Sequence, residues 1–382
     1  MTFEFSTATK IVFGRGTLSK LPALCAPLGE KFLIVAGGAI KKTDAVDSLA
    51  EDLKRAGAAC FIVPCAPGEP TVESVDAAVL AGKQAGVDAV IGIGGGSALD
   101  TAKAAAGVLP NGGSVREYLE GVGNRKMETA PLPFIAVPAT AGTGTEVTKN
   151  AVVMSRTEQF KKSMRDDRML ARIALVDPEL TISVPRDITA ASGMDAICQL
   201  IESFTAKQAN DFCDAMALYH TPRALSALRR AFDDGGDIDA RETMALASMV
   251  SGMCLANAGL GAAHGIGAGL GALLGTRHGV ACGMLLPHVI RYNLSHGCFK
   301  YAALGRAITG KALPNDRDAA LAAADAVAEL CAYLGLPSRL GELGVTTDIV
   351  PELAKASMGS SMSKNPVEIP LEECEALITS LI

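Results

Sequence analysis

The chain lacks the features that mark most specialised classes of protein. Its Lys and Arg residues fall singly or in pairs, as at Lys41-Lys42 and Lys161-Lys162, and the formal net charge is −6. That distribution argues against a nucleic-acid partner. No window approaches the roughly 20 apolar residues that a membrane span requires. The most apolar stretch, 256–274, is rich in glycine and carries His264, which suits a buried helix, so no membrane partner is expected. The first ten residues lack the basic-then-apolar layout of a secretory signal. Ten cysteines are present but none forms a CxxC pair. In a core-rich chain they read as reduced, buried small hydrophobes, and a cytoplasmic setting is expected.

What the chain does contain is typical of an α/β protein. Of 382 residues, 49% are hydrophobic and 20% charged, and glycine and alanine are abundant. That length exceeds one ordinary hydrophobic core, so two domains are expected. Short apolar runs alternate with helical patterns through the first half. Strands are predicted at Lys31–Ala36, Ala59–Val63, Asp88–Ile93 and Pro133–Val137, with helices at Asp44–Arg55, Thr71–Ala85 and Ala98–Val108 between the first four. Continuous apolar strands separated by helices predict a parallel sheet covered on both faces. Val152–Met154 and Ile173–Val176 read as further strands, the former in a hairpin with Lys161–Met164. After Asp177-Pro178 the strand signal stops and helical periodicity takes over. Breaks fall at 233–239, 275–279, 310–317 and 335–337. The boundary is placed at residue 182, giving an α/β domain over 1–182 and an all-helical domain over 183–382.

Two loops carry candidate chemistry in the first half. Gly94-Gly95-Gly96-Ser97 follows a buried strand and opens a helix. Glycines let backbone N–H groups approach phosphate oxygens, and a helix N-terminus contributes partial positive charge. The spacing is not GxGxxG, and the same residues would also serve as a tight turn against a helix. The loop from Pro138 to Glu146 follows the next strand, and Thr140, Thr143 and Thr145 add hydroxyls suited to ribose or phosphate. Two such loops at neighbouring strand ends point to a phosphate-bearing cofactor.

In the second half, Asp195 and Gln199 are four residues apart on a predicted helix and project from one face. His264 and His278 are two of only five histidines. A continuous helix would hold them about 21 Å apart, too far for a shared metal. The break at Gly275-Thr-Arg lets the second fold back. Read alone, either histidine is equally a hydrogen-bonded core residue. His220, His288 and His296 read as structural or exposed.

Taken together, Gly94-Gly-Gly-Ser-Ala-Leu-Asp-Thr-Ala-Lys103, Pro138 to Thr148, Asp177-Pro-Glu-Leu-Thr181, Gly193-Met-Asp-Ala196, the 14-residue step from His264 to His278, Leu285-Leu-Pro-His288 and Asn365-Pro366 closely resemble the iron-containing (group III) alcohol dehydrogenase family. The matches keep the family's order from about residue 10 to the C-terminus. The resemblance implies an N-terminal dinucleotide-binding α/β domain, an all-helical C-terminal domain as in dehydroquinate synthase, and a divalent metal (Fe²⁺ or Zn²⁺) in the cleft between them. It implies NAD or NADP as cofactor, with Gly95, Gly96 and Ser97 at the pyrophosphate and Gly37, Thr140, Thr143, Lys161 and Leu180 along the rest. It marks Asp195, His264 and His278 as catalytic metal ligands, with Gln199 at a fourth ligand position. Asp100 and Lys103 match motif positions and suggest an ion pair. A homodimer or larger homo-oligomer is common among such proteins.

The sequence departs from that pattern at four places. Gln199 stands where the family usually has His. It either ligates through its amide oxygen, favouring harder cations, or only hydrogen-bonds in a metal-depleted pocket. Ala268 replaces a second histidine linked to substrate contact or proton relay, implying a roomier, more apolar pocket and a substrate unlike simple short alcohols. Gly37-Gly38 stands where NAD-preferring members often carry Asp, so Lys41 or Lys42 could attract a 2′-phosphate. Glu69 replaces an Asn near the ribose and would oppose one. The expected reaction is hydride exchange between the nicotinamide and an alcohol or aldehyde polarised by the metal. The alternatives are a metal-independent reductase resembling maleylacetate reductase and a lyase resembling dehydroquinate synthase.

Overall fold

The computed structural model describes residues 2–65, 68–158 and 160–382. Among these, eight strands are formed: β1 (Ile11–Phe13), β2 (Lys31–Ala36), β3 (Ala59–Pro64), β4 (Ala89–Gly94), β5 (Phe134–Pro138), β6 (Asn150–Ser155), β7 (Phe160–Arg165) and β8 (Ile173–Val176). The first helices are α1 (Leu21–Cys25), α2 (Ala45–Arg55), α3 (Val72–Ala85) and α4 (Gly96–Val108). Then follow α5 (Arg186–Thr205), α6 (Asp211–Asp233), α7 (Ile238–Ala258), α8 (Ala262–Leu274) and α9 (His278–Ser295). The chain ends with α10 (Tyr301–Thr309), α11 (Asp316–Tyr333), α12 (Val350–Ser357) and α13 (Leu371–Ser380). No single helix among the described residues is long and apolar enough to cross a membrane.

One compact unit comprises Ser6–Pro185 with Gly235–Met249. Its six-stranded sheet is parallel, in the order β1-β8-β5-β4-β2-β3, and β6 and β7 pair as a separate antiparallel ribbon. The central strands β2, β4, β5 and β8 are almost wholly buried, which is why they read as unbroken apolar runs. Strand β3 is different. It lies at the sheet edge with Phe61 and Ile62 exposed, so the expectation of cover on both faces fails there. Strand β1 is an edge strand of three half-buried residues, too short to show periodicity, and makes β4 the fourth strand along the chain. The chain moves from β2 outward to β3, then returns to place β4 on the other side of β2. This reversal opens a crevice at the C-terminal strand ends, the usual ligand position in open α/β sheets.

A buried cation shapes the loop after β5. The Lys103 ammonium, 1% exposed, donates to the carbonyls of Thr145 (2.6 Å), Thr148 (2.8 Å) and Asn150 (3.0 Å) and to Thr148 Oγ1 (2.9 Å). Burial lowers its pKa to about 8, and Asp100 and Glu146 oppose that fall. The Asp100 carboxylate accepts from the Val152 N–H (3.2 Å) in β6, and burial pushes it up to about 6. Lys103 therefore works as a bolt between α4 and the threonine loop, by hydrogen bonds to backbone rather than the ion pair suggested by the sequence. A second clamp is Asp177, which accepts N–H bonds from Gly16 (3.1 Å), Leu18 (3.0 Å) and Glu179 (3.1 Å), explaining the Asp-Pro-Glu-Leu-Thr motif as a turn that ties β8 to the N-terminal segment.

The other unit comprises Met1–Phe5, Arg186–Asp234 and Val250–Ile382 and is helical. The division passes through α7, whose first turns belong to the sheet-bearing unit. Replacing Lys103 by Met would remove the donor shared by three carbonyls, of which those of Thr145 and Thr148 are buried. The expected cost is about 3 kcal/mol or more, read as a lower denaturant midpoint at unchanged m-value; an unaltered midpoint would contradict the bolt.

Candidate active site

At the strand ends of the sheet-bearing unit, the glycine turn forms the N-terminus of α4, with Gly95 as the N-cap and no side-chain cap among the described residues. Gly95, Gly96 and Ser97 are half-exposed. A Cβ on Gly96 would lie 2.8 Å from both Thr143 Oγ1 and Thr143 Cγ2, and one on Gly95 would lie 3.4 Å from Thr140 Oγ1. The glycines thus let the two loops close on each other while keeping helix N–H groups open to an anion. Gly37 adjoins them: it follows β2 and its N–H bonds to the Ile93 carbonyl (3.1 Å).

The remaining cofactor candidates fall in varied settings. Ser97 Oγ donates to the Gly68 carbonyl (2.6 Å). Lys161, on β7, pairs with Glu69 at 2.8 Å with only 15% of its side chain exposed. That pair offsets the Glu69 charge that would oppose a 2′-phosphate. Leu180 is buried in the same apolar core as Ile135, Val137 and Ala139.

The helical unit brings the second set together. Asp195 sits in mid-α5, His264 in the first turn of α8 and His278 at the first position of α9. Helix α8 ends at a left-handed Gly275 (φ 66°), and the chain turns back, so the two imidazole centroids lie 5.3 Å apart at 64°. The close approach of α9 to α5 requires Gly279, since a Cβ there would run into the Ala191 carbonyl oxygen. Asp195 Oδ1 lies 3.3 Å from His264 Nε2 and 3.9 Å from His278 Nε2. Ligand atoms of Asp195, His264, His278 and Cys282 all lie within 4.8 Å of one another.

Glu202, which the sequence reading did not single out, fixes this arrangement. It lies seven residues, two turns, beyond Asp195 on α5. Its carboxylate accepts from the Gly261 N–H (2.9 Å), the Ala263 N–H (2.7 Å) and His264 Nδ1 (2.6 Å). Two of those donors are backbone groups at the N-terminus of α8, where a carboxylate interacts favourably with the helix dipole. Asn365 braces the same end, its Oδ1 accepting from the Ala262 N–H (3.2 Å). With Nδ1–H given to Glu202, the Nε2 lone pair of His264 faces Asp195 Oδ1, another acceptor. Two acceptors 3.3 Å apart call for a cation or a proton between them. Burial disfavours the His264 imidazolium, but Cys282, Glu202 and the hydrogen bond to Asp195 outweigh it and raise its pKa well above the ordinary value. The donor chemistry, one carboxylate and two imidazoles with a carboxylate behind one of them, suits a divalent metal.

Gln199 is buried on the same helix, and its amide oxygen accepts from Ser251 Oγ at 2.7 Å. Cys282, also overlooked, follows His278 by four residues on α9 and so shares its face. An i,i+4 His–Cys pair was the available signal. Glu202→Gln is expected to weaken zinc binding about 10–100-fold, the usual loss when an outer carboxylate is removed, measured by competition with a chromophoric chelator. An unchanged affinity would sink its assigned role.

Comparison with known proteins agrees with these features. The profile for iron-containing alcohol dehydrogenases matches residues 8–178, and that for the C-terminal domain of the same family matches 189–382. The NAD-dependent methanol dehydrogenase of Bacillus methanolicus is 34% identical over 352 residues, 90% of each chain. The lactaldehyde reductase of Escherichia coli (strain K12) is 33% identical over 94% of each. A crystal structure of 1,3-propanediol oxidoreductase superposes with a TM-score of 0.95 over 100% of both chains at 30% identity. A parallel sheet with a glycine turn at its switch point, and helices that gather Asp195, His264 and His278, are here joined to sequence likeness along the whole length: the chain belongs to the iron-containing alcohol dehydrogenase family.

Proposed function

We propose that this chain reduces a small aldehyde, or oxidises the matching alcohol, using a nicotinamide dinucleotide and a divalent metal held by Asp195, His264 and His278. The observation that carries the reading is the convergence of those three side chains, from three helices, on one point where Asp195 and His264 are buried and His278 is half-buried. When bound, the nicotinamide supplies or accepts the hydride, and the cation supplies the Lewis acidity that polarises a carbonyl.

The chain's own residues do the positioning. The N–H groups at Gly96 and Ser97 and the α4 dipole would hold the pyrophosphate, with the threonine loop bolted by Lys103 beside it. Glu202 fixes the His264 tautomer so that Nε2 is the ligating nitrogen, and Gly279 lets His278 approach Asp195. Lys161 offsets Glu69, and Lys41 and Lys42 lie in the turn after β2, which supports use of NADP as well as NAD.

Ala268 lies one turn beyond His264 on α8 and is exposed where its neighbours are buried. A methyl group there leaves room that a histidine would fill, which supports an aldehyde with a substituent larger or less polar than that of the simplest alcohols. The substrates for which the relatives are named, methanol, lactaldehyde and 1,3-propanediol, set the starting panel. The metal-independent reading is disfavoured by the convergence of Asp195, His264 and His278.

His264→Ala is expected to remove bound metal and reductase activity together, assayed by metal analysis and by NAD(P)H consumption across an aldehyde panel. A variant that stays active and metal-replete would refute the assignment, and wild-type turnover that survives exhaustive chelation would favour the metal-free alternative.

A further inference from the structure

The proposed metal set leaves a fourth position unaccounted for. Gln199 stands on the right helix, but its oxygen already accepts a 2.7 Å hydrogen bond from Ser251. Cys282 is placed differently. Its sulfur lies 3.7 Å from His278 Nε2, and ligand atoms of Cys282, Asp195, His264 and His278 are all within 4.8 Å of one another. Donors held about 2.0–2.3 Å from a tetrahedral metal lie roughly 3.3–3.8 Å from each other. The spacings here are 3.3 Å for Asp195 to His264, 3.9 Å for Asp195 to His278 and 3.7 Å for Cys282 to His278. Those three separations are close to the edges of a coordination tetrahedron, and the other three do not exceed 4.8 Å.

The helices are built to admit that sulfur. Cys282 lies one turn beyond His278, on the same face of α9. Opposite it on α8 is Gly267, where a Cβ would sit 2.9 Å from Cys282 Sγ. The glycine thus clears space for the thiol three residues from His264. The cysteine is fully buried, so it is shielded from bulk oxidants and competing ligands.

We infer that Cys282 is a metal ligand in this chain, its thiolate joining Asp195, His264 and His278 in place of the imidazole that position 199 does not supply. The thiol proton leaves to solvent as the sulfur–metal bond forms, with no change of oxidation state. Asp195 and the thiolate together balance a divalent charge. The soft donor selects Zn²⁺, Fe²⁺ or Co²⁺ over Mg²⁺ and Mn²⁺, the reverse of the preference expected from an amide oxygen at Gln199. The inference rests on the metal-dependent reading and adds one ligand to it.

The test is the ultraviolet spectrum of metal-free protein loaded with Co²⁺, with bound cobalt measured in parallel by equilibrium dialysis. A sulfur-to-cobalt charge-transfer band is expected in the wild type, kept in Cys198→Ser and lost in Cys282→Ser. The latter's affinity should also fall by about 100-fold or more, beyond the loss expected for a residue that only supports a ligand. Cobalt bound without the band overturns the thiolate and leaves the metal-dependent reading standing. A band that follows Cys198 instead also overturns it. Failure of the wild type to bind cobalt overturns both, and should Cys282→Ser not fold, the wild-type and Cys198→Ser spectra together decide the matter: a band kept in both supports the thiolate, and a band absent from either overturns it.

Discussion

The site depends on one buried contact, the hydrogen bond between Glu202 and His264 Nδ1 at 2.6 Å. A carboxylate with 2% exposure needs partners, and it finds them in two N–H groups at the start of α8 and in the imidazole. The same three bonds orient the helix and fix which histidine nitrogen is free. The orientation of His264 is therefore inherited from how α8 is capped, and the cap residue lies on α5, the helix that carries Asp195. Distant stretches of sequence meet because a buried carboxylate on one and unpaired amides on the other have complementary electrostatic requirements.

The sheet-bearing unit follows a parallel logic with opposite charge. There a buried ammonium, Lys103, satisfies the carbonyls of the threonine loop, as Glu202 satisfies amides. Each buried ion neutralises backbone dipoles that an irregular segment cannot pair within itself. Loops near a ligand must stay open on one side, and a charged side chain on a rigid helix can hold them from the other.

What was legible in the sequence was what periodicity encodes. Strand β2 appears with the bounds its apolar run gave, because burial on both faces leaves no polar alternation to blur them. The fold-back of His278 followed from Gly275, whose left-handed conformation ends α8. Three features were hidden for physical reasons. Glu202 looks like any exposed helix charge until the N-terminus of α8 is seen above it. Cys282 reads as a small hydrophobe because a thiol carries no pattern of its own. The membership of Gly235–Met249 in the sheet-bearing unit is a matter of packing, and α7 is continuous helix across the division. The family motifs marked the candidate donors Asp195, His264 and His278, whereas the groups that orient them came only from coordinates.

The central claim is that Asp195, His264 and His278 converge to bind one divalent metal. X-ray absorption at the K-edge of zinc-loaded protein tests it most directly. Nitrogen and oxygen donors are expected at about 2.0–2.1 Å with the distant scattering of two imidazoles, and one sulfur at about 2.3 Å if Cys282 also ligates. A spectrum with oxygen donors alone and no imidazole signal would contradict it.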